Sequence, residues 1–95
     1  MRFEWNKAKS TSNLRKHGVS FEEAQTVFYE DSALLFDDPD HSADEDRFLL
    51  LGPSAALRIL IVVHCYRDRD EVIRIISARK ATRNEQAVFT ARSKP

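Results

Sequence analysis

The stretch "LRILIVVHCYRDRDEVIRIISAR", residues 57–79, decides the fold. Its first half is the most apolar run in the chain and is rich in β-branched residues, the composition of a strand covered on both faces. Residues 67–70, "RDRD", are polar and interrupt it. "EVIRIISAR" then resumes the β pattern. Two such runs about a short polar break predict an antiparallel hairpin whose first strand is central in a sheet.

Outward from the hairpin, the other elements carry local signals. "RFEW", residues 2–5, alternates polar and apolar and suits a short first strand. Asn6 is placed to cap a helix over "KAKSTSNLRKH", and Gly18 suits its left-handed end. "SFEE", residues 20–23, is a capping box opening a second helix to about Tyr29, with Ala24, Val27 and Phe28 inward. "SALLFDD" and "RFLLLG" read as strands about an acidic loop, "DPDHSADED", residues 38–46. "TRNE", residues 82–85, is a second capping box opening a last helix that holds Ala87, Val88 and Ala91. The order is β-α-α-β-β-β-β-α: one small α+β domain over residues 1–95, with helices on one side of a mostly antiparallel sheet.

Composition excludes several classes. No apolar run approaches the roughly 18 residues of a membrane span, and "MRFEWNKAKS" lacks a secretory h-region. The lone Cys65 lies in an apolar run and reads as a small core residue of a cytoplasmic protein. His17, His41 and His64 lack ligand spacing, and two glycines cannot build a phosphate loop, so neither a metal nor another cofactor is expected. The formal net charge is zero, but residues 1–50 hold six Lys/Arg against eleven Asp/Glu, and residues 51–95 hold nine against four. A basic half permits a local polyanion site.

The groups suited to such a site are His64, Arg67, Arg74, Arg79, Lys80 and Arg83. Strict alternation puts Val72, Arg74, Ile76 and Ala78 on one face of the last strand, and Ile73, Ile75, Ser77 and Arg79 on the other. Arg74, between β-branched neighbours, needs an anion: a structural carboxylate, or a phosphate gripped by two prongs. His64 is either a core-edge histidine or a proton-transfer group. Its partner depends on the hairpin loop: Ile73 across a two-residue turn, Arg74 across a three- or five-residue one. Arg79 and Lys80, just before the first amides of a helix, are either solvated or a phosphate cradle. Glu85 either caps Thr82 or acts as a catalytic carboxylate. Lys9, Asn13 and His17 fall at i, i+4 and i+8, one polar stripe that suits a solvated face.

Three stretches together resemble the BrnT toxin family: "FEWNKAKSTSNLRKHGVSFEEAQTVF", "DEDRFLLLG" and "IRIISARKATRNE". Two positions depart from the family pattern, Asn6 in place of Asp, and Phe89 where many members carry Tyr. The resemblance implies a fold similar to RelE/ParE toxins and a type II toxin–antitoxin module. It implies a ribonuclease neutralised by a BrnA-like antitoxin, the pair forming a dimer of heterodimers that represses its operon by binding operator DNA. A metal-free ribonuclease of this kind uses the RNA 2′-OH as nucleophile and needs a base, an acid and cations. In that scheme Arg74 and Arg79 stabilise the phosphate with Lys80, Arg67 and Arg83 nearby, His64 is acid or base, and Glu85 is an alternative base. The competing readings are a non-catalytic co-repressor subunit and a gyrase-poisoning toxin of the ParE kind. Growth arrest with cut RNA, no arrest, or arrest with DNA damage separates the three.

Overall fold

A computed structural model of the chain describes residues 1–40 and 46–93. Its elements are β1 (Arg2–Glu4), α1 (Lys7–His17), α2 (Phe21–Thr26), a 3-10 turn (Val27–Tyr29), β2 (Leu34–Asp37), β3 (Phe48–Pro53), β4 (Ile59–Arg67), β5 (Val72–Lys80) and α3 (Arg83–Ser93). The expected order holds, and α2 ends in a tighter turn before Tyr29. One five-stranded sheet runs β1-β5-β4-β3-β2, with the most apolar strand at its centre. Only β1 is parallel to its neighbour, pairing Arg2–Glu4 with Val72–Arg74 of β5. Among the described residues, no helix is long and apolar enough to cross a membrane.

The caps form where the residue types place them. The Asn6 side chain accepts from the Lys9 amide, and Gly18 closes α1 at φ 70° with its N–H on the Leu14 carbonyl. Ser20 accepts from the Glu23 amide. The Glu23 carboxylate does not complete that box. It pairs instead with Arg58 and accepts from Ser54 Oγ at 2.7 Å, tying α2 to the β3–β4 turn. Thr82 and Glu85 do complete theirs: the Thr82 N–H donates to Glu85 Oε1 at 2.8 Å, and the Glu85 N–H to Thr82 Oγ1 at 3.2 Å.

Two apolar clusters occupy opposite faces of the sheet. Val19, Phe21, Ala24 and Val27 pack on Leu50, Leu60, Val62 and Ile75. Leu51 and Ile61 pack on the other side with Phe36, Leu49 and Phe89 of α3. Adjacent residues Leu50 and Leu51 belong to different clusters, as strand geometry requires. The helices therefore do not share one side of the sheet, contrary to the expectation from the element order. α3 buries none of its residues fully and rests through half-buried Phe89 and through exposed Arg92, whose guanidinium lies 5.2 Å over the Phe36 ring. Gly52 permits close approach at the other side, where a Cβ would meet Ala33 Cβ at 2.9 Å.

The attachment of α1 is polar. Leu14 is 52 % exposed, while Asn13 is the buried residue of the helix. Asn13 Nδ2 donates to the carbonyls of Val19 (2.8 Å) and Ala78 (2.9 Å), and Oδ1 accepts from the Ala78 N–H at 3.0 Å. Pairing of β1 with β5 stops at Arg74, which leaves the later edge of β5 unpaired by a strand. One amide side chain satisfies both Ala78 backbone groups there. Asn13 is thus not part of a solvated stripe.

Candidate functional site on the bulged face of β5

The register of the central hairpin builds the site. Arg67 pairs with Val72 across residues 68–71, whose Asp68, Arg69 and Asp70 all have positive φ. None of the three loop lengths considered from the sequence is present, so Cys65 lies opposite Arg74, and His64 opposite Ile75. The next pair is Val63 with Ser77, which leaves Ile76 as an extra residue, a β-bulge. The bulge resets the alternation. Ile73, Ile75 and Ala78 share the α1–α2 side, while Arg74, Ser77 and Arg79 share the other. Strict alternation had separated Arg74 from Arg79. The bulge aligns them on one face, four pairing steps or about 13 Å apart.

Arg79 is the best-held cation of the row. Nη1 and Nη2 donate to Glu85 Oε1 and Oε2 at 2.7 and 2.9 Å, a two-pronged pair, and Nη1 also reaches the Lys80 carbonyl at 3.3 Å. Hydrogen bonding from Arg79 first, then from the Thr82 backbone, holds the Glu85 carboxyl at about pKa 2, against the opposing effect of burial. The same pair raises the Arg79 pKa. Glu85 is a cap and an arginine clamp at once, and so weak a base that its direct role in taking a proton at neutral pH is small.

Arg79 lines an open cleft of about 340 Å³ over the sheet. Leu49, Ile61 and Val63 form its apolar floor, and Ile76 and Ser77 bring the bulge to its edge. Arg47 adds a second cation, and Asp38 and Asp40 add carboxylates. The Asp40 N–H donates to Asp38 Oδ1 at 3.0 Å, a local turn that holds the two together. An apolar floor with a fixed guanidinium and carboxylates at the rim suits a nucleobase beside a phosphodiester.

The remaining residues read as site groups separate. Arg74 Nη1 donates to Glu4 Oε2 at 2.7 Å, the N-terminal carboxylate alternative, and Arg67 Nε lies 3.7 Å from the same oxygen. Arg67 and Arg83 are exposed. Lys80 follows Arg79 directly and so points to the opposite face, where its charge helps lower the Glu23 pKa. The two do not form one cradle, and the amide of Thr82, which precedes α3, is already held by Glu85. His64 is 0 % exposed on the α1–α2 side. Its Nδ1 lies 3.1 Å from the Val62 carbonyl and its Nε2 3.3 Å from Tyr66 Oη, among the rings of Phe28, Phe48 and Tyr66. Burial pushes its pKa down. It is a core histidine, out of reach of a ligand on the arginine face.

Sequence reasoning missed Asp38, Asp40 and Ser77 as neighbours of the arginines, whereas Glu4 fills the structural carboxylate it allowed for Arg74. The acidic loop and Arg47 were visible, but their distance along the chain from Arg79 hid the relation. Residues 41–45 of that loop, with His41, lie outside the described residues.

Comparison with known proteins gives two findings. Residues 5–85 match the family described as "Ribonuclease toxin, BrnT, of type II toxin-antitoxin system". The chain is also similar to the crystal structure of the Brucella abortus ribonuclease toxin BrnT, with a TM-score of 0.66 and 27% sequence identity, over 87% of this chain and 99% of that one. No curated protein matches.

Proposed function

Since the chain belongs to the BrnT family of ribonuclease toxins of type II toxin–antitoxin systems, we propose that it is a metal-independent endoribonuclease acting on the arginine face of β5. The observation that carries this reading is the bulge at Ile76, which aligns Arg74, Ser77 and Arg79 beside an apolar-floored cleft. In this reading the 2′-OH attacks the adjacent phosphorus, a bond forms from O2′ to phosphorus, and the bond to the 5′-oxygen breaks. The products are a 2′,3′-cyclic phosphate and a 5′-OH, the departing 5′-oxygen taking its proton from solvent water. Arg79, held flat by Glu85, faces the non-bridging oxygens as negative charge gathers on them. Arg74 lies further along the same face and serves the neighbouring backbone. Asp38 and Asp40 are the carboxylates lining the cleft among the described residues, and in this reading one of them accepts the 2′-OH proton.

A type II system includes an antitoxin. We extend the proposal to a BrnA-like antitoxin that covers this face, a dimer of heterodimers, operator binding through the antitoxin, and action on RNA in the cytoplasm. One feature favours a non-catalytic co-repressor instead: both arginines of the row already hold carboxylates.

The test is incubation of the purified chain with a labelled single-stranded RNA in EDTA, followed by analysis of fragment ends. Cyclic phosphate and 5′-OH ends that vanish with Arg79→Gln support the reading. Intact RNA after incubation with folded chain sinks it.

A further inference from the structure

A second cleft, of about 190 Å³, lies between α1 and the edge of β5. Lys9, Ser12, Lys16 and His17 line its helix side, and Ile76 and Ser77 its strand side. Those two bulge residues also line the first cleft. The bulge is therefore a low wall between two depressions, at the stretch of β5 edge that β1 leaves free.

The charge of this cleft differs from that of the arginine face. Lys9 and Lys16 are two helical turns apart on one face, about 10 Å along the axis. Neither has an ion pair among the described residues, whereas Arg2, Arg58, Arg67, Arg74 and Arg79 all do. No Asp or Glu occurs between Glu4 and Glu22. The lining adds the Ser12 and Ser77 hydroxyls as further donors. Unpaired ammonium groups spread along a cleft bind an extended polyanion as point charges without requiring one fixed geometry.

We propose that the α1–β5 cleft is a second phosphate-binding subsite, taking the RNA backbone that continues from the first cleft across Ile76 and Ser77. Lys9 and Lys16 hold successive stretches of that backbone, and His17 borders its exit. This proposal rests on the reading of the first cleft as the place of cleavage.

The test measures binding, not cleavage, so the two readings fail separately. A fluorescent 2′-O-methyl RNA octamer, which lacks the nucleophile, is titrated with the full chain at several salt concentrations. The variants are Lys9→Gln/Lys16→Gln and the control Lys7→Gln/Arg15→Gln, which removes the same charge from α1 outside the cleft. Loss of two phosphate contacts to a single strand lowers the salt slope of log affinity by about 1.4. We expect that drop, with about tenfold weaker binding, in the first variant and a smaller change in the control. Equal changes in both, or none in either, overturn the subsite. So does a first variant that binds RNA normally but loses antitoxin affinity, which would assign the cleft to an acidic protein segment. A wild-type chain that binds with the lysine-dependent slope but cuts no RNA leaves the subsite standing and removes the nuclease.

Discussion

Two cationic regions meet at Ile76 and are built in opposite ways. On the arginine face, each guanidinium is fixed by a carboxylate: Arg79 by Glu85, Arg74 by Glu4. In the α1 cleft, the lysines have no such partner among the described residues. A paired arginine gives up part of its field but gains a fixed fork, the condition for stabilising charge as it develops on a phosphate. An unpaired lysine attracts over a longer range and positions little. In the proposed reading the face serves chemistry and the cleft serves capture.

That division is open to direct attack. The largest effect is expected from Arg79→Gln: a fall in kcat of about 100-fold or more in a variant that still folds, with a melting temperature lowered by loss of the Glu85 pair, measured by RNA cleavage beside thermal denaturation. A variant that cuts RNA at the normal rate removes the face from the chemistry. Next is Asn13→Leu, which strips partners from both backbone groups of Ala78 and from the Val19 carbonyl. It is expected to cost about 3 kcal/mol in chemical denaturation. A cost below about 1 kcal/mol would mean that α1 is held by something else.

Glu85 gives a smaller, pH-dependent effect. Its folded pKa of about 2 lies below the ordinary 4.5, so its contribution is present above pH 4.5 and is lost as pH falls toward 2. Wild-type stability should therefore fall more steeply than that of Glu85→Gln between those values. Glu23, lowered mainly by Arg58, titrates alike in both proteins and cancels in the comparison. Parallel acid profiles would show that the Arg79–Glu85 pair does not stabilise the fold. The smallest change is expected from Lys9→Gln/Lys16→Gln in denaturation without RNA: within about 0.5 kcal/mol of wild type, because both side chains are exposed. A larger loss would make the cleft a structural element.

What was legible in the sequence follows the range of the interaction. The cap at Asn6, the left-handed end at Gly18, the Thr82–Glu85 box and the central hairpin are set within a few residues, and each is present. The bulge was not legible: "VIRIISAR" contains no glycine or proline to mark it, and the extra residue is one isoleucine among three. That omission put Arg74 and Arg79 on opposite faces. His64 was misplaced for a related reason. An imidazole at the end of an apolar strand suits a site or a core equally, and three aromatic rings from β3, β4 and the 3-10 turn decided for the core. Asn13 looked like a surface residue because its partner, Ala78, is 65 positions away.

The parallel pairing of β1 with β5 also has a temporal side. Glu4 meets Arg74 across 70 positions, and Asn13 meets Ala78 across 65. A chain synthesised from its N-terminus at roughly 5–20 residues per second holds its first strand and first helix without their partners for several seconds. Such contacts close late, because loop closure precedes any gain from them. Both the arginine row and the α1–β5 cleft thus come into being only after β5 has been synthesised.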